Sequence, residues 1–255
     1  MKTIALLLAA MCCVALALAL FGVFGNKKKT VDVVIARYEE NHDWVVDDLM
    51  PIVGADSRIT VYNKGRRETL SAKISDAKKK ILVVDLPNVG RCDHTYLHHI
   101  LETLGSRRRP VLFLPGSCRA FPEKWARVQK IIGKFDGASS TFVCDDVNMP
   151  GDIYDFSIDR WAARESRNNA TNSTDRLVPS PVRPFGKWFD EVVRIKDKED
   201  PPRCLSLGGM FIAAPGDLDR KPRAYYERIK SFLDGDDNVE AGHYVERAWP
   251  AIVLM

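Results

Sequence analysis

Three short runs of nearly continuous apolar residues constrain this chain more than any other feature. They occupy residues 31–36 (Val31, Val33, Val34, Ile35, Ala36), 81–86 (Ile81 to Val84, then Leu86) and 111–114 (Val111, Leu112, Phe113, Leu114). Each is too short for a core helix and lacks the alternation of a strand with one wet face. Each therefore reads as a strand covered on both sides, as in parallel sheets flanked by helices. After each run the apolar spacing turns helical. Trp44, Val45, Leu49, Ile52 and Val53 follow the first, and residues 95–104 the second. Trp125, Val128, Ile131, Ile132 and Phe135 follow the third, once it has stopped at Pro115-Gly116. Residues 59–62 alternate before Asn63-Lys64-Gly65 and add a strand. The alternation predicts an α/β fold with a mainly parallel sheet and right-handed crossovers.

The second half is less regular. Residues 164–184 are rich in Asn, Ser, Thr and Pro and read as a surface loop; a short helix is expected over 185–193, a strand carrying Gly208-Gly209 over 204–213, and helices over 222–233 and 241–253. Charged residues at 28% and apolar ones at 45% exclude a disordered, collagen-like or polytopic membrane chain. The formal charge of +4 equals the contribution of Lys2, Lys27, Lys28 and Lys29, since no acid precedes Asp32, so the remainder sums to zero. That excludes nucleic acid held by bulk electrostatics as an expected partner.

The uncharged stretch 3–24 spans about 33 Å as a helix, enough to cross a bilayer. Ala15-Leu16-Ala17 and Ala17-Leu18-Ala19 also offer small-x-small cleavage patterns. Residues 1–29 thus read as a hydrophobic helix with a basic flank, acting as signal anchor or cleaved signal peptide, and 30–255 as one α/β domain. Asn169-Ala170-Thr171 and Asn172-Ser173-Thr174 are glycosylation acceptors, and the body carries four cysteines, Cys92, Cys118, Cys144 and Cys204. The expectation is a single-pass membrane protein with a lumenal body in the endoplasmic reticulum or Golgi, or a secreted one if the segment is cleaved.

Six phrases in series resemble the eukaryotic domain of unknown function numbered 3431. They are Val34-Ile35-Ala36-Arg37-Tyr38-Glu39-Glu40 with Trp44; Tyr62-Asn63-Lys64-Gly65; and Pro87-Asn88-Val89-Gly90-Arg91 with His94-Thr95-Tyr96-Leu97-His98-His99-Ile100. Then come Arg183-Pro184-Phe185-Gly186-Lys187-Trp188, Gly208-Gly209-Met210-Phe211, and His243-Tyr244-Val245-Glu246-Arg247-Ala248-Trp249-Pro250. That family in turn resembles glycosyltransferases of the A-type nucleotide-sugar fold. The resemblance implies a Rossmann-like first half, a nucleotide-sugar donor over the first strands, a glycan or glycoprotein acceptor at the second half, and a divalent cation, Mn or Mg. By position it assigns Glu246 as the acceptor-side catalytic base and places Gly208, Gly209, His243 and Arg247 beside the acceptor.

The residues carry matching chemistry. Open parallel sheets bind ligands at the carboxyl ends of their strands, where Arg37, Asn63 and Asn88 fall. Arg37 offers paired donors for a diphosphate, Tyr38 a ring to stack on a base, and Glu39 a carboxylate for ribose hydroxyls; the alternative is a surface ion pair. Asn63-Lys64-Gly65 is either a turn with Gly65 at positive φ or a setting for Lys64 to face phosphate. Asn88-Val89-Gly90-Arg91 precedes a helix that Asp93 is placed to cap, so Gly90, Arg91 and the free amides suit an anion. There is no GxGxxG or Walker pattern, against hydride transfer and nucleotide hydrolysis of those types. His94 and His98 share a helical face at zinc-binding spacing, with Asp85, Asp93, His42 or His243 as a third ligand; without a Glu after His94 this is no HExxH site, and lining a donor pocket is the competing role.

The acidic DxD triplet of the resembled transferases has no counterpart in Leu112-Phe113-Leu114-Pro115-Gly116. Asp145-Asp146 and Asp217-Leu218-Asp219 are the substitutes, the latter also reading as a helix start. Trp188 and Trp249 read as core and Arg107-Arg108-Arg109 as a solvated loop. Beside the glycosyltransferase stand two alternatives: a non-catalytic glycan- or nucleotide-binding module on the same fold, and a metal hydrolase using His94 and His98.

Overall fold

Strands β1 (Asp32–Arg37), β2 (Ile59–Asn63), β3 (Ile81–Asp85), β4 (Val111–Pro115) and β5 (Phe211–Ala213) form one sheet in the order β3-β2-β1-β4-β5. All neighbours are parallel except β4 and β5, which pair antiparallel with Leu112 opposite Ile212. The computed structural model describes residues 29–137, 142–145, 152–158, 177–194, 205–206 and 208–255. The expected N-terminal helix, apart from Lys29, lies outside these, as do Asp146, Asn169 and Asn172. Among the described residues no helix is long and apolar enough to cross a membrane.

Side-chain alternation along the central strands divides the interior in two. Val34, Ala36, Phe113, Phe211 and Ala213 face one core, while Val33, Ile35, Val61, Leu112, Leu114 and Ile212 face the other. The first is covered by α2 (Arg91–Glu102), α4 (Phe185–Trp188), α6 (Arg223–Ser231) and α7 (Glu240–Leu254), the second by α3 (Pro122–Lys134). Two smaller helices, α1 (Ala72–Asp76) and α5 (Pro215–Leu218), lie in connections. Trp188 and Trp249 have no exposed surface, in keeping with a core role. The fold is thus an α/β sandwich with a mostly parallel sheet.

Several local expectations are corrected. The stretch after β1 forms only a π-helical turn, Val45–Leu49. Strand β3 is not covered on both faces: Leu82 is 60% exposed because β3 is an edge of the sheet. The strand expected over 204–213 is three residues long, since Gly208 and Gly209 before it both hold positive φ. Arg107 is buried, bonded to Ile100 O at 2.9 Å, Thr103 Oγ1 at 2.7 Å and Asp219. Cys92 and Cys118 carry free thiols, whereas Cys144 is disulfide-bonded.

Candidate functional site

The carboxyl ends of β1, β2 and β3 open into a cavity of about 430 Å³ lined by Tyr38, Glu39, Lys64, Gly65, Arg66, Asn88, Val89 and the turn Gly235-Asp236-Asp237. That volume lies within the range of about 300–1,000 Å³ typical of small-molecule sites. The cavity sits over β1 to β3 rather than at the switch in strand order between β1 and β4. There Gly116 packs so closely that a Cβ on it would lie 2.8 Å from Glu40 Oε2 and 3.0 Å from Ala36 O.

Arg37 and Asn63 end neighbouring strands and bond to each other, Nη1 to Oδ1, at 2.5 Å. Arg37 has no exposed surface; its guanidinium also donates to Arg66 O at 3.4 Å, Thr69 O at 3.0 Å and Thr69 Oγ1 at 2.6 Å. With Nε also donating to Glu40 O at 3.4 Å, its donors are spent on Asn63 and on the loops after β1 and β2, and Arg37 shapes the cavity wall from behind. Asn63 completes that wall with Nδ2 donating to Gly65 O at 2.9 Å and Asp85 Oδ1 at 3.1 Å. Gly65 does not hold positive φ. It is glycine because the wall is tight: a Cβ there would lie 2.1 Å from Tyr38 O. Glu39 pairs with exposed Arg66 at 2.9 Å, which draws its carboxyl below the usual range.

Lys64 is the cation at the cavity's inner end. Its Nζ donates to Val89 O and Arg91 O, each at 2.5 Å, leaving a third N–H for a ligand. Burial pulls its ammonium down to about 8. These bonds hold the backbone where α2 begins. Gly90 and Arg91 both adopt left-handed φ, +58° and +56°, a strain of about 1–3 kcal/mol at a residue with a Cβ. Gly90 N–H donates to Asp236 O at 2.7 Å and Asn88 Nδ2 to Asp237 Oδ2 at 3.3 Å, so the acidic turn is bound to the start of α2. Asp93 does not cap the helix. It lies inside, fully buried, accepting Trp249 Nε1–H at 2.7 Å and a weak Cys92 Sγ contact at 3.7 Å. Burial, and then the charge of Glu246, push its carboxyl up to about 7.

Behind Lys64 a second group gathers between α2 and α7. Arg91 Nη1 donates to His243 Nε2 at 3.4 Å; His243 stays neutral because burial and then Arg91 and Arg247 hold its pKa well below the usual value. Arg247 donates to His243 O at 2.8 Å and lies 3.8 Å over the Phe156 ring. Glu246 Oε1 accepts the Gly208 N–H at 2.6 Å, and the positive φ of Gly208 and Gly209 brings that amide round. Asp93, Arg91, Glu246 and Lys64 all act electrostatically on the buried Cys92 thiol, which burial raises. Gly208, His243, Glu246 and Arg247, expected beside an acceptor, are therefore in one place, linked to the cavity through Arg91 and Lys64.

Other candidates lie apart. Asp145 is paired with Arg127 at 3.2 Å and Lys130 at 3.1 Å; Asp217 pairs with Arg220, and Asp219 with Arg107. Carboxylates neutralised in this way do not fit a divalent ion. His94 Nε2 meets Asp234 Oδ1 at 3.0 Å, and burial pulls the ring down to about 4, whereas His98 lies edge-on to Tyr62. Among the described residues no three potential metal ligands converge. Sequence reasoning missed Arg66, Asp236 and Asp237. The segment 234–238 falls between the helices expected over 222–233 and 241–253, and only its bonds to Gly90 and Asn88 bring it to the site. No family model, curated protein or solved structure matches the chain.

Proposed function

We propose that this chain is a glycosyltransferase that moves a sugar from a nucleotide-sugar donor to a hydroxyl of a glycan or glycoprotein. The observation that carries the reading is the adjacency of two groups. A polar cavity at the strand ends holds Tyr38, Glu39, Lys64 and Asn88; Lys64 bonds the Arg91 carbonyl, Arg91 bonds His243, and Glu246 follows one turn along α7. The six-phrase resemblance supports the same assignment.

In this reading Tyr38 stacks on the base, while Glu39 and Asp237 accept hydroxyls. The diphosphate must avoid those carboxylates, so it lies at the Lys64 end, near the amides that open α2. Arg91, fixed through its own carbonyl by Lys64, meets the leaving group's growing charge, an interaction strongest in the transition state. Glu246 is held by Gly208 through one oxygen, leaving Oε2 to take the proton from the acceptor hydroxyl. With Asp145, Asp217 and Asp219 neutralised by arginine and lysine, the leaving diphosphate's charge falls to Lys64 and Arg91. The bridged Cys144 supports an oxidising, lumenal or extracellular setting for the body.

A second reading, a binding module without turnover, is favoured by the lining charges: Glu39, Asp236 and Asp237 outnumber Lys64 and Arg66. Incubating the purified chain with a panel of nucleotide sugars and a glycoprotein acceptor separates the two. Transfer is expected, with Glu246→Gln lowering kcat at least about 100-fold while nucleotide affinity holds. Lys64→Met is expected to weaken nucleotide binding about tenfold. Binding of nucleotide or glycan without transfer supports the module, and absence of binding to either overturns both.

A further inference from the structure

We propose that the apolar run 3–24 is an uncleaved membrane anchor and that the amino pole of the sheet docks on the phospholipid headgroup layer of the same bilayer, turning the candidate cavity toward water. This goes beyond the proposed reaction and would hold for a chain that only binds its ligand. In a parallel sheet, every residue that precedes a strand collects at one end. Val33 N–H bonds to Arg58 O at 2.7 Å, Ile59 N–H to Lys80 O at 3.2 Å, and Asp32 N–H to Pro110 O at 2.9 Å, so the segments entering β1 to β4 lie side by side. With strands about 4.8 Å apart, the row from Lys80 through Arg58 to Arg109 crosses about 14 Å.

That row is cationic. Arg58, Lys78, Lys79, Lys80 and Arg108 are exposed and make no ion pair among the described residues, while Arg109 shares Asp32 at 3.7 Å. The opposite pole carries Asp236 and Asp237 together with Glu39, Asp85 and Asp234, which are paired there with Arg66, Arg67 and Lys230. The amino pole therefore has cations in excess of its acids Asp32, Asp56 and Asp76, whereas most acids of the carboxyl pole are matched by neighbouring cations. Lipid phosphates attract the amino pole wherever the facing leaflet carries anionic lipid.

The chain's path selects a membrane as the anion. Lys29 enters the fold at the basic pole: Gly54 N–H donates to its carbonyl at 2.9 Å, and its Nζ donates to Ile132 O at 3.2 Å and Gly133 O at 3.0 Å, at the end of α3. Phe24, the last residue of the apolar run, lies five positions earlier, a reach of at most about 18 Å. Wherever that run leaves a bilayer, the basic pole is the part of the described fold held next to it.

The test uses the full chain in nanodiscs of phosphatidylcholine alone or mixed with phosphatidylserine, with lysine acetylation read by mass spectrometry. Labelling of Lys78, Lys79 and Lys80 is expected to fall at least about fivefold in the anionic discs and to recover at high salt, while exposed Lys187 is unchanged. The combined variant Lys78→Glu, Lys79→Glu, Lys80→Glu, altered only at exposed positions, is expected to bind nucleotide as the parent does. In it, Arg58 and Arg108 should react equally with phenylglyoxal in both kinds of disc. Equal lysine labelling in the two lipid compositions, or protection that salt does not reverse, overturns the proposal.

Discussion

Glu240, a carboxylate with no exposed surface, holds three separate pieces of chain together. It accepts the Ile158 N–H at 2.6 Å, the Ser180 N–H at 2.9 Å and an Arg183 Nη2 N–H at 3.1 Å, and its Oε2 forms an ion pair with Arg183 Nε at 2.8 Å. The segments before and after the undescribed stretch 159–176 are thereby fastened to the first turn of α7. A buried carboxylate so paired leaves its partners desolvated when the charge is removed. Glu240→Gln keeps the shape but puts an amide N–H against a donor and leaves Arg183 without its counter-charge. The expected loss is about 3–5 kcal/mol, read as a shift of the urea midpoint at constant slope. The exposed pair of Lys73 and Asp47 is the control: water already solvates both groups, so Asp47→Asn should leave the midpoint where it is.

Among the elements, the start of α2 decides most about the site, because its backbone, not a side-chain cap, places Arg91 and Lys64. A Cβ on Gly90 would lie 2.6 Å from Leu233 O and 2.7 Å from the His94 Cβ, in addition to its left-handed φ. Gly90→Ala should therefore cost about 2 kcal/mol or more and weaken nucleotide binding in the fraction that stays folded, checked by urea unfolding and nucleotide titration. The elements legible in the sequence were those whose burial is symmetric. β1 and β4 lie inside the sheet with helices on both faces, and unbroken apolar runs encode that directly. The same rule misread β3, whose similar run ends at an edge with Leu82 in water, and it overextended the helix after β1. Strand-end candidates Tyr38, Lys64 and Asn88 were legible because topology alone sends strand ends to one pole. The burial of Arg37, the interior position of Asp93 and the part played by Asp236 were not, since each depends on a contact between segments far apart in the chain.

At the scale of the whole molecule, folding withdraws imidazoles from water more than it pairs them. Burial lowers the pKa of His42, His94, His98, His99 and His243, taking His94 and His99 to about 4. As pH falls from about 6.5 toward 4, the unfolded chain takes up protons that the folded chain refuses, and stability drops across that window. Asp93 works the other way. Raised to about 7, it holds a proton in the folded state that the unfolded chain gives up until pH nears 4, so acidification relieves the cost of a buried carboxylate. Several histidines oppose one carboxyl, so Tm should fall between pH 7 and pH 4.5. Asp93→Asn isolates the opposing contribution: its amide oxygen can still accept the Trp249 N–H, but it has no proton to lose. That variant should melt above the parent at pH 8 and level with it at pH 4.5, giving a steeper fall on acidification. A parent Tm that rises toward pH 4.5, or a difference between the two proteins that is the same at both pH values, would sink this account of the buried ionisable groups.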